Sequence, residues 1–193
     1  MMRRDLCLAE LARYRTDQIV VATYHAAFDW IRLQPHSLNY LSIGAMGLAS
    51  SHALGLALGR PDKQVIVLDG DGSLLMNLGS LVTIAEVAPR NLIHFVCVNG
   101  TYEANGGHPT PGSGKVNFAG LARDAGFPRV YEFSDLPAFS SRIERLLRED
   151  GPTFVALKVE PGEPSPRDYN FIHGAETRSG FFAALNESRQ IAR

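Results

Sequence analysis

The chain has 193 residues, a length that suits one compact domain. Its hydrophobic fraction of 45% and charged fraction of 20% exclude a mainly disordered protein. With 19 basic against 20 acidic residues and a formal net charge of −1, it has no bulk attraction to nucleic acid or anionic membrane. No run of about 18 apolar residues is present, so no bilayer span is expected. The N-terminal stretch MMRRDLCLAELARYR carries charges inside its apolar run and no small-residue cleavage site, which argues against a signal peptide. The two cysteines, Cys7 and Cys97, form no disulfide framework. The expectation is a cytoplasmic soluble protein.

In chain order, residues 3–15 read as a short amphipathic helix and Ile19 to Thr23 as a buried, β-branched strand. Residues 38–43 are a weaker strand. Residues 45–58, AMGLASSHALGLAL, read as a helix whose small residues allow close packing. Gln64 to Leu68 is a second strong strand, running into Asp69-Gly70-Asp71-Gly72-Ser73. One helix is then expected, with Leu74, Leu75, Leu78, Leu81, Val82 and Ala85 on a single stripe, ending before Pro89. Met76, Leu78 and Leu81 are read as core. Leu92 to Val98 is another apolar strand. Residues 99–117, NGTYEANGGHPTPGSGKVN, are rich in Gly and Pro and aperiodic, hence a long loop of the kind that is functional or mobile.

Val130–Phe133 and Thr153–Val159 are further strands, separated by a helix capped by Ser134 that carries a solvated charge run from Arg142 to Glu149. Residues 160–193 are expected to form a Pro-rich arm and a final helix near 174–188. Strands apolar on both faces, alternating with helices, predict an α/β fold: a doubly wound, mostly parallel sheet of about six strands with helices on both faces. Residues 1–193 would form a single domain.

The chemistry-bearing segment is Gly70-Asp71-Gly72-Ser73, where an apolar strand meets a helix. Ligands of open α/β sheets bind at that edge, and glycines let backbone N–H groups approach them. An Asp there would repel phosphate unless a cation sat between them, which suggests Mg²⁺ with a diphosphate. Leu75 breaks the dinucleotide-binding glycine fingerprint, and no P-loop is present. Positions 73–98, 26 residues, separate Gly72 from Asn99, enough for one helix and one strand. A right-handed crossover then brings Asp71 and Asn99 to one sheet edge.

This pairing resembles the diphosphate–Mg²⁺ motif of thiamine diphosphate enzymes, with Val98 in place of the first Asn of their double Asn. The resemblance implies Asp71, Asn99 and the carbonyl of Thr101 as metal ligands. It also implies a pyrimidine-side turn at Gly44 to Gly47, in which Gly44 offers a carbonyl and Met46 bends the cofactor. The implied cofactor-binding set is Gly44, Met46, Gly70, Asp71, Gly72, Ser73, Asn99, Thr101 and Tyr102. The segments 46–51, 69–81 and 106–110 are similar to sulfopyruvate and phosphonopyruvate decarboxylases over about residues 17–160, although the family usually has Gln where His108 stands.

His108 is then a candidate proton donor or anion contact, and Glu103 and Asn105 are candidates to face the reacting carbon. His25 lies after the first strand, within reach of a diphosphate, though a plain strand-end role suits it better. Trp30 reads as core or interface anchor. Nothing in the sequence resembles the separate domain that supplies the pyrimidine-activating Glu of this family. The expectation is a half-enzyme in a homo- or hetero-oligomer, with a pyrimidine-domain subunit on another chain and a small 2-oxoacid as substrate. The alternatives are an acetolactate synthase-like carboligase subunit and a non-catalytic nucleotide- or phosphate-binding protein.

Overall fold

The computed structural model describes residues 1–41, 43–162 and 166–190, the side chains through 188. Six strands form one parallel sheet: β1 (Ile19–Ala22), β2 (Asn39–Tyr40), β3 (Val65–Gly70), β4 (Leu92–Val98), β7 (Arg129–Phe133) and β8 (Thr153–Lys158). Their spatial order is β2-β1-β3-β4-β8-β7, every neighbouring pair parallel. The expected doubly wound α/β fold is therefore the observed one.

The period-2 alternation of the strands sorts their side chains into two cores. Val20, Ile66 and Phe95 face a layer built from α1 (Arg4–Ala12), α2 (Tyr24–Leu33) and α7 (Leu136–Leu146). Val21, Val67 and Val96 face α3 (Ala49–Gly59), α5 (Gly79–Val87) and α6 (Phe118–Ala125). Both faces are covered, which is why the central strands read as largely apolar runs, broken only by the buried Asp69 of β3 and His94 of β4. Residues 169–190 add α8 (Tyr169–His173) and α9 (Ala175–Gln190), which insert Ile172 into the first core and Phe181 into the second. Residues 163–165 of the expected arm, Ser42 of the expected second strand and residues 191–193 lie outside the described residues. Among the described residues no helix is long and apolar enough to cross a membrane.

Several local expectations are corrected. The single helix over 74–85 is two, α4 (Asp71–Leu75) and α5, because a turn at 76–78 lets the Asn77 amide donate to the Gly47 carbonyl at 3.0 Å. The break rotates Met76 and Val82 outward to 54% and 60% exposure, so neither is core, whereas Leu81 is buried. The cap of α7 is Asp135 rather than Ser134. Its carboxylate accepts the Ala138 N–H at 2.9 Å, the first donor available beyond Pro137, which has none. Glu149 is not on a solvated face: it accepts from the Tyr131 hydroxyl and from Arg142. The 99–117 segment contains a small antiparallel hairpin, β5 (Thr101–Tyr102) with β6 (His108–Pro109). Trp30 is core, fully buried, and donates to the Asn39 side chain at 3.1 Å.

Candidate active site at the carboxyl edge of the sheet

The chain leaves β1 toward β2 on one side and returns to β3 on the other, so β1 and β3 flank the topological switch point of the sheet. Open α/β folds bind ligands in the crevice outside the strand ends at that point. A cleft lies there, lined by Thr23, His25, Met46, Asp71, Asn99 and Tyr102 among others. Gly70 pairs in register with Cys97, so β3 and β4 end side by side and deliver Asp71 and Asn99 to the same edge. That is the convergence the 26-residue spacing predicted.

Asp71 is 2% exposed. Its carboxylate accepts the N–H of Gly72 at 2.8 Å and that of Gly100 at 2.7 Å. Burial raises its pKa above the ordinary carboxylate value, and these amides only partly oppose the shift. A buried acidic group held by two amides gains most from a cation. Asn99 Oδ1 accepts the Thr101 N–H at 2.8 Å and faces the Thr101 hydroxyl at 3.2 Å, which closes the turn next to Asp71. Among the described residues no cluster of three His, Cys, Asp or Glu side chains could hold a metal. A cation here would take one carboxylate, an amide oxygen and a backbone carbonyl, leaving room for ligand oxygens and water, the shell that Mg²⁺ prefers.

Two glycines are required by packing. A Cβ on Gly72 would sit 2.6 Å from Cδ1 of Tyr102, so the absence of a side chain lets the Tyr102 ring cover the turn. Gly47 has φ +85°, and a Cβ there would meet Met76 Cβ at 3.0 Å. The Gly47 N–H donates to Ser73 Oγ at 3.0 Å, tying the 44–47 turn to the start of α4. Met46 lines the cleft; Gly44, two residues earlier, is exposed and does not.

The structure also separates residues that sequence placed together. Glu103 lines the cleft, but one carboxylate oxygen pairs with Arg4 and the other accepts the Gly162 N–H at 2.7 Å. Asn105 and His108 are exposed on the hairpin and do not line the cleft.

Residues that sequence reasoning missed are Arg4, Thr23, Tyr24 and Asp69, all lining the cleft. Arg4 reaches in from α1, donates to Asp29 at 2.7 Å and pairs with Glu103. Burial pulls its pKa down, but Asp29 and Glu103 outweigh burial and hold the guanidinium charged. No local signal marks Arg4, because its partners are distant in sequence. Tyr24 has φ +45°, a strained conformation for a non-glycine residue, and it sits between two buried residues of the cleft. Those neighbours, Thr23 at 4% and His25 at 6% exposure, leave Thr23 Oγ1 and His25 Nε2 without a partner. His25 thus lines the cleft. Burial lowers the pKa of the His25 imidazole, while Glu103, 4.0 Å from Nδ1, raises it.

Unpartnered buried donors beside a buried carboxylate, under an uncapped helix N-terminus, fit an anionic ligand accompanied by a cation. The fold and the site together define an α/β domain of the kind that carries a diphosphate cofactor at its switch point. Residues 19–157 match the family described as thiamine pyrophosphate enzyme, C-terminal TPP binding domain, and the chain belongs to that family. It is 41% identical over 163 residues to the sulfopyruvate decarboxylase subunit beta of Methanothermobacter thermautotrophicus, covering 84% of each chain. It is 39% identical over 156 residues to the phosphonopyruvate decarboxylase of Streptomyces viridochromogenes, covering 80% of this chain but 38% of that protein's length. The benzoylformate decarboxylase of Polynucleobacter necessarius shares the fold, with a TM-score of 0.68 at 21% identity, over 86% of this chain and 34% of that one.

Proposed function

We propose that this chain is the cofactor-binding subunit of a thiamine diphosphate- and Mg²⁺-dependent 2-oxoacid decarboxylase of the sulfopyruvate or phosphonopyruvate type. The single observation that carries the reading is the buried Asp71 carboxylate, held by the Gly72 and Gly100 amides beside Asn99 at the switch point. Asp71, Asn99 and the Thr101 carbonyl would hold the metal. Gly70 to Ser73, with Thr23 and His25, would receive the diphosphate. Met46, which lines the cleft, would bend the cofactor, and Tyr102 would shield the turn from water. Thiamine diphosphate, when bound, supplies the carbon nucleophile and the electron sink that decarboxylation of a 2-oxoacid requires.

The chain's own part is to bind, orient and exclude water. Asp71 would neutralise the cation, while the β3 and β4 ends, paired in register, would fix the spacing of its ligands. The Tyr102 ring over Gly72 closes one side of the cleft. Glu103, engaged with Arg4 and Gly162, orders the hairpin over the site rather than carrying the pyrimidine proton. The activating carboxylate is therefore assigned to a pyrimidine-domain subunit on another chain. Coverage of 84% of a subunit that bears the name beta supports this division.

The test is turnover of sulfopyruvate, phosphonopyruvate and pyruvate by this chain together with a pyrimidine-domain subunit, cofactor and Mg²⁺. Free aldehyde is the expected product. A longer hydroxyketone would mark a carboligase instead, and binding without turnover of any 2-oxoacid would count against the decarboxylase reading.

A further inference from the structure

β4 reads Leu-Ile-His-Phe-Val-Cys-Val, and His94 in its interior is fully buried. Burying an imidazole in an apolar sheet is costly unless it has a partner. Its partner is Asp69 on the neighbouring strand, itself fully buried, with Nε2 to Oδ2 at 3.3 Å. On the same face of these two strands, Val67 and Val96 are ordinary core residues, so packing alone does not call for a polar pair. A buried pair of this kind is also weak evidence for a role in stability. Asp69 has a second contact that points elsewhere: its Oδ1 accepts the N–H of Gly70 at 2.9 Å. Gly70 is the residue from which the chain turns into Asp71.

The protonation pattern follows from the contacts. A carboxylate only accepts, so the hydrogen of the pair sits on His94 Nε2. Nδ1 is buried with no partner, and the Phe154 ring stands edge-on to the imidazole at 5.4 Å between centroids. A bare lone pair is tolerated in such a place far better than an unpaired N–H donor. We propose that His94, with its Nε2 hydrogen directed at Asp69, is a positioning residue. It holds Asp69, Asp69 holds the Gly70 amide, and the turn thereby presents the Asp71 carboxylate to the cleft in one orientation. The functional importance of that orientation rests on the reading of Asp71 as a metal ligand given above.

The experiment uses the full chain labelled with ¹⁵N, without ligand. The imidazole nitrogens of His94 are expected to show the Nε2–H tautomer, and the Gly70 amide to exchange slowly. In His94→Leu the exchange of Gly70 should accelerate at least about tenfold as the carboxylate loses its anchor. His94→Gln, whose amide N–H can take the place of Nε2–H, should restore protection. In the same variants, calorimetric titration with Mg²⁺ and thiamine diphosphate should show affinity falling about 10-fold or more in His94→Leu and recovering in His94→Gln. Absence of a hydrogen on His94 Nε2 would overturn the proposal, as would unchanged Gly70 exchange in His94→Leu. The tautomer is read on the unsubstituted chain, so the test stands even if His94→Leu does not fold. An unsubstituted chain with the expected tautomer and amide protection that binds no Mg²⁺ and thiamine diphosphate would instead refute the metal reading, leaving the positioning network intact.

Discussion

Asp71 stores an unneutralised acid in the fold, with burial raising its pKa and two backbone amides holding its oxygens. Asp71→Asn keeps the volume and removes the charge. Mg²⁺-dependent binding of thiamine diphosphate should weaken by at least about 100-fold, because the remaining ligands are neutral oxygens that hold a hard divalent ion poorly. Titration calorimetry reads the change, and affinity equal to that of the unsubstituted chain would remove Asp71 from the ligand set. Gly72 makes a different kind of demand. In Gly72→Ala the new methyl meets the Tyr102 ring at 2.6 and 2.7 Å, so the ring and its hairpin must move. A loss of about 1–3 kcal/mol in folding stability is expected, as for other overpacked sites, with weaker cofactor binding. Denaturant titration of the two proteins tests it. Both residues are visible in the sequence as a short glycine–acid motif; the Tyr102 contact that makes Gly72 necessary is not, because it joins positions 30 residues apart through the fold.

Among the elements, α1 and the hairpin after β4 carry the unexpected connection. α1 starts beside the sheet, where Met2 and Val159 form a parallel bridge, and this sets Arg4 against Asp29 of α2 and Glu103 of the hairpin. Arg4→Ala removes a guanidinium from between two partly or fully buried carboxylates. A destabilisation of about 3 kcal/mol is expected, and the hairpin should loosen with it. A chemical denaturation midpoint unchanged from that of the parent would contradict this. The hairpin itself is held by few bonds, including Gly107 N–H to the Tyr102 carbonyl and Thr110 N–H to the Gly100 carbonyl, each 2.9 Å. Gly106 and Gly107 in its turn, and Gly112 and Gly114 just after it, are at positive φ. Its amides should exchange rapidly in the chain alone and slow when cofactor and Mg²⁺ or a partner subunit are added. Full protection in the isolated chain would be the contrary result.

The helices show where local reading stops. α6 has its signals in sequence, Asn117 as a cap accepting the Gly120 N–H at 2.8 Å and Gly126 beyond its end at φ +105°. At eight residues it is too short for periodicity to stand out beside the glycine-rich segment before it. The break between α4 and α5 could not be read locally at all. The Leu74 to Ala85 stripe is genuinely helical in spacing, and the turn inside it exists because Asn77 finds the Gly47 carbonyl on another element.

For the whole molecule, the cleft is open and incomplete in one specific sense. On the proposed reading it would provide the Asp71–Asn99 side of a cofactor site, while the acidic group near the hairpin, Glu103, is engaged by Arg4 and Gly162. Purified chain with cofactor and Mg²⁺ should therefore turn over 2-oxoacids well below the usual enzyme rate of about 1 per second, and addition of a pyrimidine-domain subunit should restore it. Rapid turnover by the chain alone would relocate the activating group into this sequence, with Glu103 the first residue to substitute.

The sequence by itself determined the class of fold and the central motif. Apolar strands alternating with helices admit few architectures other than a doubly wound parallel sheet, and a strand–helix–strand crossover has one favoured hand, so Asp71 and Asn99 had to meet at one edge. Sequence did not determine which strand lies next to which, and so did not locate the switch point between β1 and β3. It also left unsettled which loop residues turn inward. Those depend on contacts between residues far apart in the chain: Arg4 with Glu103, Asn77 with Gly47, His94 with Asp69. Such contacts leave no periodic trace, because each is a single polar bond made after the apolar layers have already brought the elements together.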